Sequence, residues 1–201
     1  MEKIAKVKPE TDGTLNRTLA RLDEWGIDKA VCLSIATKPQ QQRILTEWSV
    51  KIQAETAGRI IPFGSVHPDA DDALEELEFI KKSGLKGIKL HPDYQNFYID
   101  DEKAYPIYQK CAELDLPIVF HAGLDIKCPD DIHATPERVI RVLKLFPKTT
   151  MVMAHLGGNM LWEEVYEKLA GISENLYFDT AIIGAIIAAT SNSLEKSISL
   201  P

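Results

Sequence analysis

The chain has 201 residues, a formal net charge of −7, 45% hydrophobic and 26% charged residues. Those are globular values, which exclude a disordered or fibrous chain, and at about 150 residues per domain they suit a single domain, 1–201. The acidic balance shows no clustered cations of the kind a nucleic-acid backbone or an anionic membrane must be met with, so neither is an expected partner. Three cysteines, Cys32, Cys111 and Cys128, contain no CxxC pair. An odd number at wide spacing fits reduced thiols in a cytosol better than a disulfide framework. The start, MEKIAKVKPE, lacks the apolar centre of a signal peptide. The longest apolar run, 181–189, is too short to span a bilayer. A cytoplasmic protein is expected.

In chain order, Leu15, Leu19 and Leu22 form a helical stripe stopped near Gly26. Six short apolar runs then predict strands: 29–35 (KAVCLSI), 60–67 (IIPFGSVH), 86–91 (KGIKLH), 117–121 (PIVFH), 151–155 (MVMAH) and 175–180 (NLYFDT). They recur at about 30 residues, the size of a βα unit, and their near-continuous apolar character suits a parallel sheet covered on both faces. Helical patterns fill the gaps. Residues 40–57 form one. Residues 69–83 carry Asp71 and Asp72 early, Lys81 and Lys82 late, a stripe of Leu74, Leu77 and Ile80, and Gly84 as the stop, the order a helix dipole favours. Ala104, Ile107, Tyr108 and Cys111 mark another. Thr135-Pro136-Glu137 reads as an N-cap, a proline at the first helical position and an early acid, followed by Val139, Val142, Leu143 and Phe146 facing inward. Residues 159–170 complete the series. Trp25, Trp48 and Trp162 fall in helical stretches and read as packing residues. Strict βα alternation allows a doubly wound sheet or a (β/α)8 barrel. Six units are fewer than eight, and the length is at the lower limit for a complete barrel.

The histidines carry the strongest signal. Of five, four end successive predicted strands: His67, His91, His121 and His155. Each is followed by a turn: His67-Pro68-Asp69, His91-Pro92-Asp93, His121-Ala122-Gly123 and His155-Leu156-Gly157-Gly158. Asp179 lies near the end of the next strand. In a parallel α/β fold, carboxyl strand ends share one mouth where ligands bind. Side chains alternate along a strand. If His91 points in, Lys89 and Gly87 do too; if His121 does, so does Val119; if His155 does, so do Met153 and Met151. Lys89 is then a buried cation that needs a partner or a shifted pKa. Imidazoles on neighbouring strands can build an open metal site without any local motif. Asp179 reads equally as the orienter of a histidine or as a helix N-cap. His133 and Cys128 lie in the loop 122–134, whose plain reading is a solvated rim, although its length would let it cover a substrate. Gly157 and Gly158 precede a helix and suit either an anion seat or a tight turn.

At these residues the chain resembles the amidohydrolase-related metal-dependent TIM barrels (amidohydrolase family 2), and within them the subgroup of aminocarboxymuconate-semialdehyde decarboxylase. The matching stretches are Gly64-Ser65-Val66-His67-Pro68, Lys86-Gly87-Ile88-Lys89-Leu90-His91-Pro92, Phe120-His121-Ala122-Gly123, Thr135-Pro136-Glu137-Arg138, Ala154-His155-Leu156-Gly157-Gly158 and Tyr177-Phe178-Asp179-Thr180. The resemblance implies strands two to seven of a (β/α)8 barrel. It implies His121 as a metal ligand, His155 as either a metal ligand or the group that polarises the substrate, and a divalent ion, zinc first with manganese or iron as alternatives. His155 and Asp179 are then the catalytic candidates, and Lys89, His91 and His67 the substrate-binding ones. In some wider relatives a lysine at the place of Lys89 is carbamylated; that is not assumed here. Two departures stand out. The family opens with a strand bearing His-x-His, and no histidine precedes His67 here. It closes with a strand bearing an aspartate, and no strand-like run with an acid follows Asp179. The chain therefore reads as a barrel without its first and last staves, truncated at both ends.

Three expectations compete. The first is a metal-dependent hydrolase acting on a small carbonyl or carboxylate, or a decarboxylase, crippled by missing ligands. The second is a non-catalytic scaffold or interaction protein that forms homo-oligomers through exposed strand edges. The third is a doubly wound binding domain with structural histidines, disfavoured because no Gly-rich loop follows the first strand.

Overall fold

The computed structural model describes residues 12–125 and 128–181; the apolar run 182–189 lies outside them. Six helices and six strands alternate: α1 (Leu15–Glu24), β1 (Ala30–Leu33), α2 (Gln42–Glu55), β2 (Ile60–Phe63), α3 (Ala73–Lys82), β3 (Ile88–Leu90), α4 (Tyr105–Glu113), β4 (Ile118–Phe120), α5 (Pro136–Leu145), β5 (Met151–Met153), α6 (Trp162–Leu169) and β6 (Leu176–Phe178). Local chemistry sets several ends. Thr14 caps α1 by accepting the Arg17 amide at 3.3 Å. Thr135 holds the N-cap of α5 with Pro136 first in the helix, as the sequence predicts. In α3, Glu75 and Glu76 occupy the first turn and Lys81 and Lys82 the last, which opposes the helix dipole at both ends.

Every strand pair is parallel. β1 pairs with β2, and β3 to β6 form a four-stranded sheet. A bridge from Gly64 to Ile88 joins the two, through Lys89 N–H to Gly64 O at 2.8 Å and Gly64 N–H to Gly87 O at 3.0 Å. Strand order in space therefore follows chain order without reversal. A doubly wound sheet reverses at a switch point, so the barrel arrangement stands, with six of its staves. Among the described residues, β1 and β6 are paired on one side only.

Alternation divides the sheet into two faces. Ile88, Leu90, Ile118, Phe120, Met151 and Met153 join residues of α3, α4 and α5 in one large apolar cluster. Lys89, Val119, Val152 and Tyr177 share a register row on the other face, toward the barrel interior. Met151 and Met153 thus point to the helices, contrary to the simple alternation drawn from His155; the reason lies in the turn described below. A second cluster of Leu22, Ile52 and Ile60 packs α1 and α2 on β1 and β2. Trp25 and Trp48 are exposed rather than packed, and Trp162 is half-buried with its indole N–H on His155 O at 3.0 Å. Among the described residues no helix is long and apolar enough to cross a membrane.

Candidate metal centre

Strand pairing brings His91 and His121 together. Leu90 pairs with Phe120, so the next residues are neighbours, and the His121 amide donates to Leu90 O at 3.1 Å. Their rings stack at 4.0 Å with 7° between planes, and Tyr94 stacks on the other face of His91 at 3.8 Å. Gln95 fixes the turn after β3. Its Oε1 accepts the His91 amide at 2.8 Å, and its Nε2 donates to Ala36 O at 2.9 Å and Val66 O at 2.7 Å. The loop after β4 then turns at Gly123, whose φ is +77°. A Cβ there would lie 2.1 Å from the Asn159 nitrogen, so only glycine lets this loop close against the turn after β5. Leu124 N–H to Asn159 O and Asn159 Nδ2 to Leu124 O, both 2.9 Å, complete the zip. Asp125 is thereby carried back over the strand ends. It is buried, hydrogen-bonded by Tyr94, with Oδ2 at 3.7 Å from His91 Nε2 and 3.6 Å from His121 Nε2. One ligand atom from each of His91, His121 and Asp125 falls within 4.8 Å of the others.

His155 approaches from the next strand. It and Leu156 have φ of +61° and +54°, left-handed values that cost a side-chain-bearing residue about 1–2 kcal/mol. Asp179 holds them there: its Oδ1 accepts the His155 amide at 3.0 Å and its backbone O the Leu156 amide at 2.7 Å. The left-handed turn breaks the strand's alternation and swings His155 inward although Met153 faces out. His155 Nε2 comes to 3.1 Å from His121 Nδ1, and His155 Nδ1 to 2.9 Å from Ala181 O.

Burial sets the electrostatics. It pushes His121 down to about 3, with His155 and Lys89 adding repulsion. It pushes His91 down to about 2, helped by His121, Lys89 and His155. Lys89 falls to about 8 through desolvation, opposed by Asp179. His121 is therefore neutral and carries one ring proton. A carbonyl only accepts, so His155 Nδ1 is a donor to Ala181 O, and with its proton there His155 accepts at Nε2 from His121 Nδ1–H. That leaves His121 Nε2 a bare lone pair. It is buried with no hydrogen-bond partner among the described residues, and it faces a carboxylate oxygen. A lone pair opposed to a carboxylate suits a cation between them. Two imidazoles and one carboxylate are a donor set that zinc, manganese and iron accept.

Of the residues singled out in the sequence, His91, His121, Lys89, His155 and Asp179 are gathered at one end of β3 to β6. His155 Nε2 is engaged by His121, so it lies one hydrogen bond behind the three-donor group. His67 stands apart: its amide takes Gln42 Oε1 at 3.2 Å and its Nδ1 accepts the Asp69 amide at 3.1 Å. Among its described residues the loop 122–134 is solvated only in part: Pro129, Asp130 and Asp131 are exposed, while Asp125 and His133 are buried; His133 Nδ1 bonds Phe97 O at 3.0 Å and pins the loop after β3. Gly157 serves a tight turn, a Cβ there lying 2.6 Å from the Phe178 ring. Asp125 and Asp93 were missed by sequence reasoning. The only local hint of Asp125 is its place four residues after His121, beyond a glycine.

A chain of βα units closing toward a barrel, with imidazoles and a carboxylate gathered at the carboxyl strand ends, defines a TIM-barrel protein with a donor group that could hold a metal ion. The amidohydrolase family model matches residues 12–193, and the chain belongs to that family. No curated protein matches it. Solved structures match the fold. An uncharacterised TIM-barrel protein of Bordetella bronchiseptica is similar with a TM-score of 0.65 and 21% identity, over 83% of this chain and 59% of that one. The IDCase of Metarhizium anisopliae, in apo form, gives 0.65 and 17%, over 87% and 62%. The 5-carboxyvanillate decarboxylase of Novosphingobium aromaticivorans, complexed with manganese and 4-hydroxy-3-methoxy-5-nitrobenzoic acid, gives 0.59 and 20%, over 81% and 57%. The chain thus spans about six tenths of the length of these relatives.

Proposed function

We propose that the chain carries a divalent-metal site, held by His91, His121 and Asp125, for hydrolysis of a small carbonyl or carboxylate substrate. The observation that carries this reading is the bare, buried Nε2 of His121 facing Asp125. A bound ion there would polarise a substrate oxygen and acidify a water. This chain's residues do the rest. Lys89, charged at neutral pH and next to Asp179 in the interior, attracts a substrate carboxylate. His155 Nε2, accepting from His121 Nδ1–H, orients the ring of that ligand, and Asp179 fixes the turn that aims it. Zinc is the first choice of ion, with manganese and iron next. The three free cysteines support a reducing, cytoplasmic setting.

A second reading, decarboxylation, is favoured by Lys89, because a buried cation at the mouth suits a substrate that arrives as a carboxylate. The manganese-bound neighbour named as a decarboxylase supports it. The test loads metal-free protein with zinc, manganese or iron in turn, then follows hydrolysis of an ester, lactone and amide panel beside carbon dioxide release from aromatic carboxylates. One ion per chain is expected, lost in His121→Ala. A chain that takes up no ion overturns the reading, and the product formed separates hydrolysis from decarboxylation.

A further inference from the structure

The tripeptide His-Pro-Asp occurs twice at strand ends, and its two aspartates have different fates. In the first, Asp69 is half exposed and paired with Lys103 at 2.9 Å. In the second, the Asp93 side chain is 1% exposed, and both carboxylate oxygens lack a hydrogen bond among the described residues. A carboxylate buried without partners is costly. Among the described residues its ion-pair neighbour is His91, whose Nδ1 lies 3.6 Å from Asp93 Oδ2, and His133 also acts on it through its charge. His133 is already committed to Phe97 O at 3.0 Å and to Asp131 at 3.5 Å.

We propose that Asp93 is a positioning residue for His91: it accepts the Nδ1 proton that His91 must carry when its Nε2 ligates a metal. This rests on the metal reading above. A neutral imidazole has one proton. At present His91 Nδ1 accepts the Tyr94 amide at a long 3.4 Å, which puts the proton on Nε2, facing Asp125 Oδ2 at 3.7 Å. That tautomer cannot ligate through Nε2. Transfer of the proton to Nδ1, with no net gain or loss, frees the Nε2 lone pair, gives up the weak Tyr94 bond, and places an N–H opposite Asp93. Tyr94 and His121 sandwich the ring, so its plane is held beside Asp93, 3.6 Å away. A carboxylate on the second nitrogen of a ligating histidine fixes its tautomer and raises its basicity, and losing such a partner costs roughly 10- to 100-fold in metal affinity.

The experiment uses the metal-free full chain, its Asp93→Asn and Asp93→Leu variants, and His91→Ala. Affinity for Zn²⁺ and Mn²⁺ is measured by titration, apo stability by thermal melting, and the His91 tautomer by ¹⁵N-resolved imidazole spectra with and without Zn²⁺. Asp93→Leu is expected to lose roughly 10- to 100-fold in affinity, and Asp93→Asn, which keeps an acceptor oxygen, less. Apo Tm is expected to hold or rise in both, since an unpaired buried charge is gone. In the wild type, Zn²⁺ is expected to move the His91 proton from Nε2 to Nδ1, and in Asp93→Leu to do so incompletely. Unchanged affinity in both variants, or a full tautomer switch in Asp93→Leu, overturns the proposal and leaves the metal site standing. A lowered apo Tm with unchanged affinity shows a purely structural aspartate and overturns it too. A wild type that takes up neither ion overturns the metal reading and this one together.

Discussion

Lys89 separates stability from use. It lies in the middle of β3, buried on the interior face, where its ammonium has lost most of its water. Its folded pKa is about 8 against an ordinary 10.5. A depressed value means that the folded state resists the proton: the group's contribution to stability is present above pH 10.5 and is lost as pH falls through about 8. Converted at about 1.4 kcal/mol per pH unit, the gap corresponds to ~3 kcal/mol of penalty at pH 7. Lys89→Met keeps the length and removes the charge. It is expected to raise stability to urea at pH 7 by about 1–3 kcal/mol, an advantage that shrinks toward pH 10.5, and to weaken binding of any carboxylate ligand. Urea melts of both proteins across pH 7 to 10.5 measure this, and a Lys89→Met protein less stable than wild type at pH 7 refutes it. The lysine's burial was legible in the sequence, because alternation from His91 put it inside. Asp125 was not legible. Its position depends on a glycine turn and on two loops zipped through Asn159, contacts between segments 35 residues apart that no local pattern encodes.

At the scale of the element, the turn from β5 into α6 shows how a strand's alternation can be broken for a purpose. Continued alternation would send His155 toward the helices with Met153. Two successive left-handed residues reverse it, and they stand because Asp179 follows directly on β6. Its Oδ1 accepts the amides of both His155 and Ala181 at 3.0 Å. Charged acceptors on backbone N–H groups are worth roughly 1.5–3 kcal/mol. Asp179→Ala is expected to lower stability by about 2 kcal/mol and to release His155 from His121, while Asp179→Asn, which retains an oxygen, is expected to lose less. Calorimetry gives the first quantity, and the His155 imidazole shifts report the second. An Asp179→Ala protein with wild-type Tm and unchanged His155 resonances contradicts this role. The sequence offered Asp179 as orienter or N-cap on equal terms. In the structure Asp179 Oδ1 accepts the amide of His155, reaching its backbone rather than its ring, and also the amide of Ala181, the bond an N-cap makes; the helix that the N-cap reading needs lies outside the described residues. Strands and helices themselves were legible because apolar runs, acids at helix starts and glycine stops are local. The strands proved shorter than the apolar runs, since each histidine-bearing tail already belongs to the turn that forms the site.

On the scale of the whole molecule, the order of six parallel strands follows chain order, and β1 and β6 each have one open side among the described residues. The interior face is wet at both ends: Val31 on β1 is 54% exposed and Tyr177 on β6 is 52% exposed. Both belong to the register rows that face the barrel interior. Open edges with apolar neighbours offer unpaired backbone groups to any strand that meets them. Self-association is therefore the expected behaviour of this chain at high concentration, through β1, β6 or both. Sedimentation velocity over a concentration series is expected to show a rising mean mass. The double variant Val31→Lys with Tyr177→Lys is expected to remain closer to monomer. Its stability is expected to move by only about 0.5 kcal/mol, because both side chains already meet water. Charge at these two positions acts on association alone, so a fall in mass with an unchanged melting curve is the diagnostic pair. A wild-type chain that sediments as a monomer throughout the series removes self-association, and with it the reading of the two edges as contact surfaces for a second copy.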